Sequence, residues 1–342
     1  MKADRTAPYD AWLHWYLSER CTLNCDFCSY VPPSGLPKPV APVTVIDIPA
    51  LLRTLERAGR VFKISFTGAG EPFLVPNIVE ACRRLTERHY VEFVTNLTPP
   101  AVERFACTID PARVTVIHAS LHSAALEQRG LLETYIRHFL LLKENGFALR
   151  CAELAHPALL RGVPALRSRL GARGIELSFF PFFGSYRGKR YPNAFSAGEL
   201  AVFGLGPDDL RIFSPDGRLC NAGYNVAVVR ENGEIRPCDA LGERLGNIYS
   251  GIRFRRGLLR CPFGRCVCPL DVYDPRLFAA AKEAHSSAPL GALRAWAAGR
   301  GAAMRDLLPH AVKRGARRVV PEPVLAFRRR WRARRRAGGA GA

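Results

Sequence analysis

The sequence predicts an α/β protein: a partial (β/α)6 TIM-like barrel, then a small β-hairpin cluster domain, then a basic helical tail. Three observations predict it. Apolar runs of strand length alternate with helix-length segments from Ala11 to Phe180, and such alternation implies a parallel sheet. A hairpin signal at Asn232-Gly233 then breaks the alternation. Finally, residues 301–342 carry 12 Lys and Arg against Asp306 and Glu322, a net +10 of the chain's +20. The expected divisions are 1–200 for the barrel, 201–275 for the cluster domain and 276–342 for the tail.

The elements follow in order. Ala11–Leu17 is apolar and aromatic, a first strand running into a cysteine loop. Leu51–Ala58 is a helix stopped by Gly59. Val61–Phe66 is the second strand, and the turn Thr67-Gly68-Ala69-Gly70-Glu71-Pro72 follows it. Pro76–Glu87 is a helix and Val91–Thr95 the third strand. Val114–His118 is the fourth, with Ser120 and His122 just beyond. Leu131–Asn145 is an amphipathic helix with Gly146 as its C-cap. Ala148–Glu153 is the fifth strand, Pro164–Arg173 a helix and Ile175–Phe180 the sixth strand. Six units are too few for an eight-fold barrel, and chemistry is expected at the C-terminal strand ends. Val226–Arg230 and Glu234–Arg236 flank an Asn-Gly turn and form a hairpin, with Cys220 before it and Cys238 after it. From about Arg276 the sequence is helical and rich in Ala and Arg, with a low-complexity end at 338–342.

With 342 residues and 48% hydrophobic content the chain can bury a sizeable core. No apolar run is long enough to span a bilayer, and the N-terminus has no signal-peptide stretch. A cytoplasmic location is expected. In that reducing compartment 11 cysteines point to metal ligation rather than disulfides.

Cys21, Cys25 and Cys28 lie in a C-x3-C-x2-C run directly after the first strand. Three thiolates in one loop hold three corners of a [4Fe–4S] cluster and leave the fourth iron for a ligand that is not protein. A zinc site is the alternative, but zinc takes four ligands and no fourth Cys or His follows nearby. The motif, with Phe27 before its last cysteine, resembles that of the radical S-adenosylmethionine (radical SAM) enzymes, and the resemblance extends to about Cys268. It implies that SAM binds the open iron through its amino and carboxylate groups. It also implies that one electron, from a donor such as flavodoxin or ferredoxin, breaks the sulfonium C–S bond to give a 5′-deoxyadenosyl radical.

The resemblance suggests further SAM contacts. Ala69-Gly70-Glu71-Pro72 is similar to the family's Gly-Gly-Glu-Pro, whose backbone and acid meet the SAM amino group; here Ala69 replaces the first glycine. Glycine allows close backbone approach, and a glutamate pairs with an ammonium. Thr95-Asn96 resembles the family's Thr-Asn. Ser120 resembles its ribose-contacting serine, with His122 in place of the usual acid. Arg150 either reaches the SAM carboxylate or is an exposed strand residue. Phe179, Phe180 and Phe182 pack on adenine or in the core.

Cys220, Gly233 and Cys238 fit the family's C-x9–15-G-x4-C entry to a SPASM or twitch domain, which carries auxiliary clusters. Cys261, Cys266 and Cys268 depart from the full SPASM set. One auxiliary [4Fe–4S] cluster held by Cys220, Cys238 and two of these three is the economical expectation, with a structural zinc clip as the alternative. Cys82, Cys107 and Cys151 read as small buried hydrophobes, with Cys151 also placed to face the barrel and donate a hydrogen atom. Arg187, Lys189 and Arg190 after the sixth strand are either a substrate phosphate or carboxylate site or a solvated basic loop. In the tail, apolar and Trp331 anchors among arginines suggest membrane-surface contact or a disordered end, with nucleic acid less expected.

The expected function is a radical SAM enzyme that takes a hydrogen atom from a small molecule. Only Met1–Ala11 precede the first strand, so a cobalamin or leader-peptide-binding domain is not expected there. A carbohydrate, aminocyclitol or nucleotide sugar is the first expectation, with dehydrogenation or epimerisation as the outcome. A peptide-modifying maturase is one alternative, and a non-catalytic iron–sulfur or RNA-binding protein another.

Overall fold

The computed structural model describes residues 7–23, 25, 27–28, 45–68, 70–210, 218–263 and 275–283. Ala69, Cys266, Cys268 and the tail beyond 283, with the expectations placed on them, lie outside the described residues. One compact unit extends to His285.

Six parallel strands form in the expected order: β1 (Ala11–Tyr16), β2 (Phe62–Thr67), β3 (Tyr90–Thr95), β4 (Val114–Ser120), β5 (Leu149–Ala155) and β6 (Leu177–Pro181). Helices α1 (Ile48–Arg57), α2 (Ile78–Leu85), α3 (Ala101–Thr108), α4 (Ser123–Gln128), α5 (Leu132–Glu144) and α6 (Val163–Gly171) connect them. Helix α1 starts earlier than Leu51 because Asp47 caps it: its Oδ1 accepts the Ala50 N–H at 3.0 Å, and Pro49 suits the first turn. Strand β4 runs on through Ser120. Helices α3 and α4 are additions to the sequence reading, as is α7 (Ala197–Phe203), which opens on a Ser196/Glu199 capping box.

Strand side chains alternate between two faces. The outward set, including Ile64, Phe66, Phe93 and Ile117, joins Leu55, Ile78, Phe105 and Phe139 of the helices in one buried core. The inward set is unusually polar. Trp12 Nε1 donates to Ser65 Oγ at 2.6 Å, and Ser65 donates to Glu92 at 2.7 Å. Lys63 Nζ stands 3.3 Å from the same carboxylate, at 4% and 8% side-chain exposure. This ion pair closes one end of the barrel lumen, with Lys63 over the Trp12 ring at 3.9 Å.

The basic loop after β6 is itself a hairpin of β7 (Gly184–Tyr186) and β8 (Lys189–Tyr191), turning at Arg187-Gly188, both with positive φ. Beyond α7, β9 (Leu219–Cys220) leads to β10 (Val226–Val229) and β11 (Glu234–Arg236), the predicted hairpin. Strand β10 pairs in parallel with β1, so β10, β11, β12 (Gly246–Asn247) and β13 (Gly251–Ile252) extend the barrel's sheet to ten strands. The buried run Val226-Ala227-Val228-Val229 suits a strand covered on both faces. Residues 275–283 are helical and bury Leu277 beside Trp12 and Val226.

Candidate functional site

The site begins where β1 ends. Leu17 continues the β1–β2 pairing through Thr67, and the chain then turns through Ser18 and Arg20 into Cys21. The β2 turn crosses this loop closely. Glu71 donates its N–H to the Arg20 carbonyl at 2.7 Å. A Cβ on Gly70 would lie 2.3 Å from the Arg20 carbonyl oxygen and 2.5 Å from that of Ser18, so the crossing requires glycine. Phe73, stacked on Phe93 at 4.7 Å, anchors the turn in the core.

Glu71 is 1% exposed. Its Oε1 accepts from Phe73 N–H at 3.0 Å and Thr95 Oγ1 at 2.7 Å, and its Oε2 accepts from Asn96 N–H at 2.7 Å. Burial outweighs these three bonds and pushes its carboxyl up to about 7. Asn96 in turn directs Nδ2 to Cys21 Sγ at 3.5 Å and to Thr22 Oγ1 at 3.0 Å. Thr22 and Thr98 hydroxyls lie 2.6 Å apart.

Cys21, Cys25, Cys28, Phe27, Gly70, Glu71, Asn96 and Ser120 line one cavity of about 150 Å³. The three cysteines share the lining of this one cavity, although among the described residues no three His, Cys, Asp or Glu side chains group as ligands of a single ion. This donor set fits a three-thiolate cluster. The thiols edge a cavity that also holds a buried carboxylate, with a side-chain-free backbone crossing at Gly70. Pro72 begins the turn capped by Glu71 and does not line the cavity. Phe27 lies 5.6 Å from His122 and 5.5 Å from His156. Burial lowers His122 to about 4.

Five residues of this cavity, Gly68, Val94, Ser120, His122 and Leu154, also line a second of about 440 Å³ in the lumen. The lumen adds His14, Tyr16, Glu92, His118 and Phe180. Burial pushes His14 down to about 4 and lowers His118. Burial opposes ionisation of Glu92, yet Lys63 and the Ser65 hydroxyl hold it below the ordinary carboxylate range.

Other predicted residues lie elsewhere. Arg150 is exposed, level with His118 on β4 and two residues before Ala152, the partner of Ser120, and it lines neither cavity. Arg187, Lys189 and Arg190 are exposed on the β7–β8 hairpin, whose Tyr186 packs on His156 at 4.7 Å. Phe179 is core, Phe182 packs on His156, and Phe180 lines the lumen. Cys151 does not face the lumen. Tyr135 of α5 donates to its Sγ at 3.2 Å, and burial pushes the thiol up to about 11, so it belongs to the helix side of β5. Cys82 is buried, whereas Cys107 is exposed.

In the second group one thiol pair interacts, and the third cysteine is tied to it through strand pairing. Cys220 pairs with Leu259 of β14 (Leu259–Arg260), and Cys261 N–H donates to Arg218. Cys238 interacts electrostatically with Cys261; burial raises its thiol against the pull of the Ala240 and Leu241 N–H groups. No disulfide forms among the described cysteines. Thr22, Thr98 and His156 were not singled out from sequence. His156 had one available signal, its place just after a strand's C-terminal end.

Comparison with solved structures gives distant likenesses. Native anSMEcpe with bound AdoMet is 17% identical, covering 70% of this chain and 77% of that one, at a TM-score of 0.49. Streptococcus suis SuiB bound to precursor peptide SuiA is 15% identical, over 71% and 63%, at 0.48. BtrN in complex with AdoMet and 2-DOIA is 17% identical, over 71% and 79%, at 0.37. No curated protein matches the chain. The family model described as the radical SAM superfamily matches residues 15–151. That span runs from the end of β1 into β5 and contains every residue lining the cysteine cavity except Leu154. Over that span the chain is similar to the radical SAM superfamily.

Proposed function

We propose that the enzyme binds SAM in the cysteine cavity and removes a hydrogen atom from a small hydroxylated molecule in the lumen, with dehydrogenation or epimerisation as the outcome. A carbohydrate, aminocyclitol or nucleotide sugar fits best. The observation that carries this reading is the wall shared by the two cavities through Ser120, His122, Val94 and Leu154. A molecule in the lumen would lie directly beneath the SAM site.

Cys21, Cys25 and Cys28 would hold a [4Fe–4S] cluster. That cluster, with SAM, supplies one-electron reduction and a radical able to take hydrogen from an unactivated C–H bond. The chain's residues do the rest. Glu71 presents a buried carboxylate to the SAM ammonium, Ser120 a hydroxyl to the ribose, and Phe27 a ring face beside His156. Val94, Leu154 and Phe180 supply the apolar part of the lumen wall, on the side where a radical would be shielded from water. Below them His14 and His118 are kept neutral by burial, so each offers hydrogen bonds without charge. Neutral imidazoles beside a Glu92 already matched by Lys63 suit hydroxyl groups better than carboxylates. Arg187, Lys189 and Arg190 would meet a phosphate at the mouth. Cys220, Cys238 and two of Cys261, Cys266 and Cys268 would hold an auxiliary cluster, which makes removal of a second electron, and so dehydrogenation, available. A flavodoxin or ferredoxin would supply the first electron.

The test is anaerobic reconstitution. Reduced protein given SAM is expected to release 5′-deoxyadenosine. A Cys28→Ala variant that still cleaves SAM overturns the assignment.

A further inference from the structure

His138, on α5, lines neither cavity, yet it supports the turn that presents Asn96. The ring is 1% exposed. Its Nδ1 stands 2.6 Å from the Leu97 carbonyl oxygen, and its Nε2 stands 3.0 Å from Glu103 Oε1 on α3. A carbonyl oxygen has no hydrogen to give, so Nδ1 is the donor. With Glu103 engaging the other nitrogen, the ring is fixed from both sides.

The bond to Leu97 matters because of the backbone there. Leu97 has φ of 54°, in the left-handed region that side chains other than glycine avoid. This bend lets Leu97 N–H donate to Thr95 Oγ1 at 3.0 Å, and Thr98 N–H to Asn96 Oδ1 at 3.0 Å. Thr95 and Asn96 are thereby held on Glu71, and the Asn96 amide on Cys21. An extended Leu97 would release all of these together.

We propose that His138 is a positioning residue for the SAM site: by holding the Leu97 carbonyl it keeps the Thr95–Thr98 turn in its left-handed bend and so keeps Asn96 against Cys21 and Glu71. The inference rests on the reading of the cysteine cavity as the cluster and SAM site.

The experiment compares four full-length proteins: wild type, His138→Leu, His138→Asn and His138→Leu/Leu97→Gly. Iron content and SAM affinity are measured after reconstitution, and amide hydrogen exchange at residues 95–98 before it. The Leu variant is expected to keep its iron, exchange faster at 95–98 and bind SAM about tenfold more weakly. Asparagine keeps a donor at the Nδ1 position and should stay within about threefold of wild type. Glycine at 97 accepts the left-handed bend without help, so the double variant should regain both slow exchange and SAM affinity. His138→Leu binding SAM like wild type, or a double variant still as weak as the single, overturns the proposal. If His138→Leu does not fold, Glu103→Ala is measured in its place; it should weaken SAM binding about threefold, and no change overturns the proposal. A wild type that binds no SAM refutes the reading of the site instead, and the exchange data then decide by themselves whether His138 holds the turn.

Discussion

Glu71 donates its main-chain N–H to the Arg20 carbonyl at 2.7 Å, joining the β2 turn to the loop that enters Cys21. The bond exists because Gly70 lets two backbones cross where any side chain would collide with carbonyl oxygens. The Glu71 turn and the thiol loop are therefore one unit, and several outcomes follow from it.

Gly70→Ala should push the cysteine loop away from Glu71. Both obstructing atoms are backbone, so relief requires main-chain movement, at a stability cost of about 1–3 kcal/mol. Iron retention after desalting and SAM binding should both fall steeply. Gly171→Ala is the control: a Cβ added there would meet nothing within 4 Å, and denaturant melts should show the variant unchanged or slightly stabilised.

Glu71 also leaves a pH signature. Burial raises its folded-state pKa to about 7 from 4.5, so the folded apoprotein binds the extra proton between these values. Its contribution is fully present below about pH 4.5, declines as pH rises toward 7 and is lost above it. Glu71→Gln removes this dependence. Urea melts should show wild type losing about 3 kcal/mol relative to the variant between pH 4.5 and 7.5. A constant difference across that window would mean that Glu71 is not protonated in the fold.

The Lys63–Glu92 pair at the closed end of the lumen invites a double-mutant cycle. Lys63→Met leaves a buried carboxylate without its partner and should cost about 3–5 kcal/mol in chemical denaturation. Adding Glu92→Gln should recover most of that loss, because the unmatched charge is gone. Additive losses would show that the pair is not coupled.

Two [4Fe–4S] clusters correspond to about eight irons per chain. Cys220→Ala and Cys238→Ala should each lower the count to about four while SAM cleavage to 5′-deoxyadenosine persists. Iron that stays near eight would exclude these two thiols as ligands.

Much of this arrangement was legible because its signals are local. Gly59 announces the end of α1, Asn232-Gly233 the hairpin, and short apolar runs each barrel strand. The cysteine loop and Gly70-Glu71 could be ordered along the chain for the same reason. What connects them could not. Glu71 meets Thr95 and Asn96 across 24 and 25 residues, and His138 meets Leu97 across 41. Arg150 shows a different obstacle: a strand residue's type does not reveal its height in the barrel, and here it is level with His118 rather than Ser120. Cys151 shows another, since its face became clear only with Tyr135 in place. The β7–β8 hairpin was hidden by Arg187 in a left-handed position that usually calls for Asn or Gly.

The parallel pairing of β10 with β1 has a mechanical consequence. The strand that delivers Cys21 is bonded along its other edge to the strand whose hairpin leads to Cys238. Tyr16, the last residue of β1, donates to Asp239 Oδ2 at 2.7 Å, and Arg230 holds the same carboxylate at 3.0 Å. The separation between the two cysteine groups is thus set by a sheet rather than a hinge. A load on either loop would be carried to the other along paired strands.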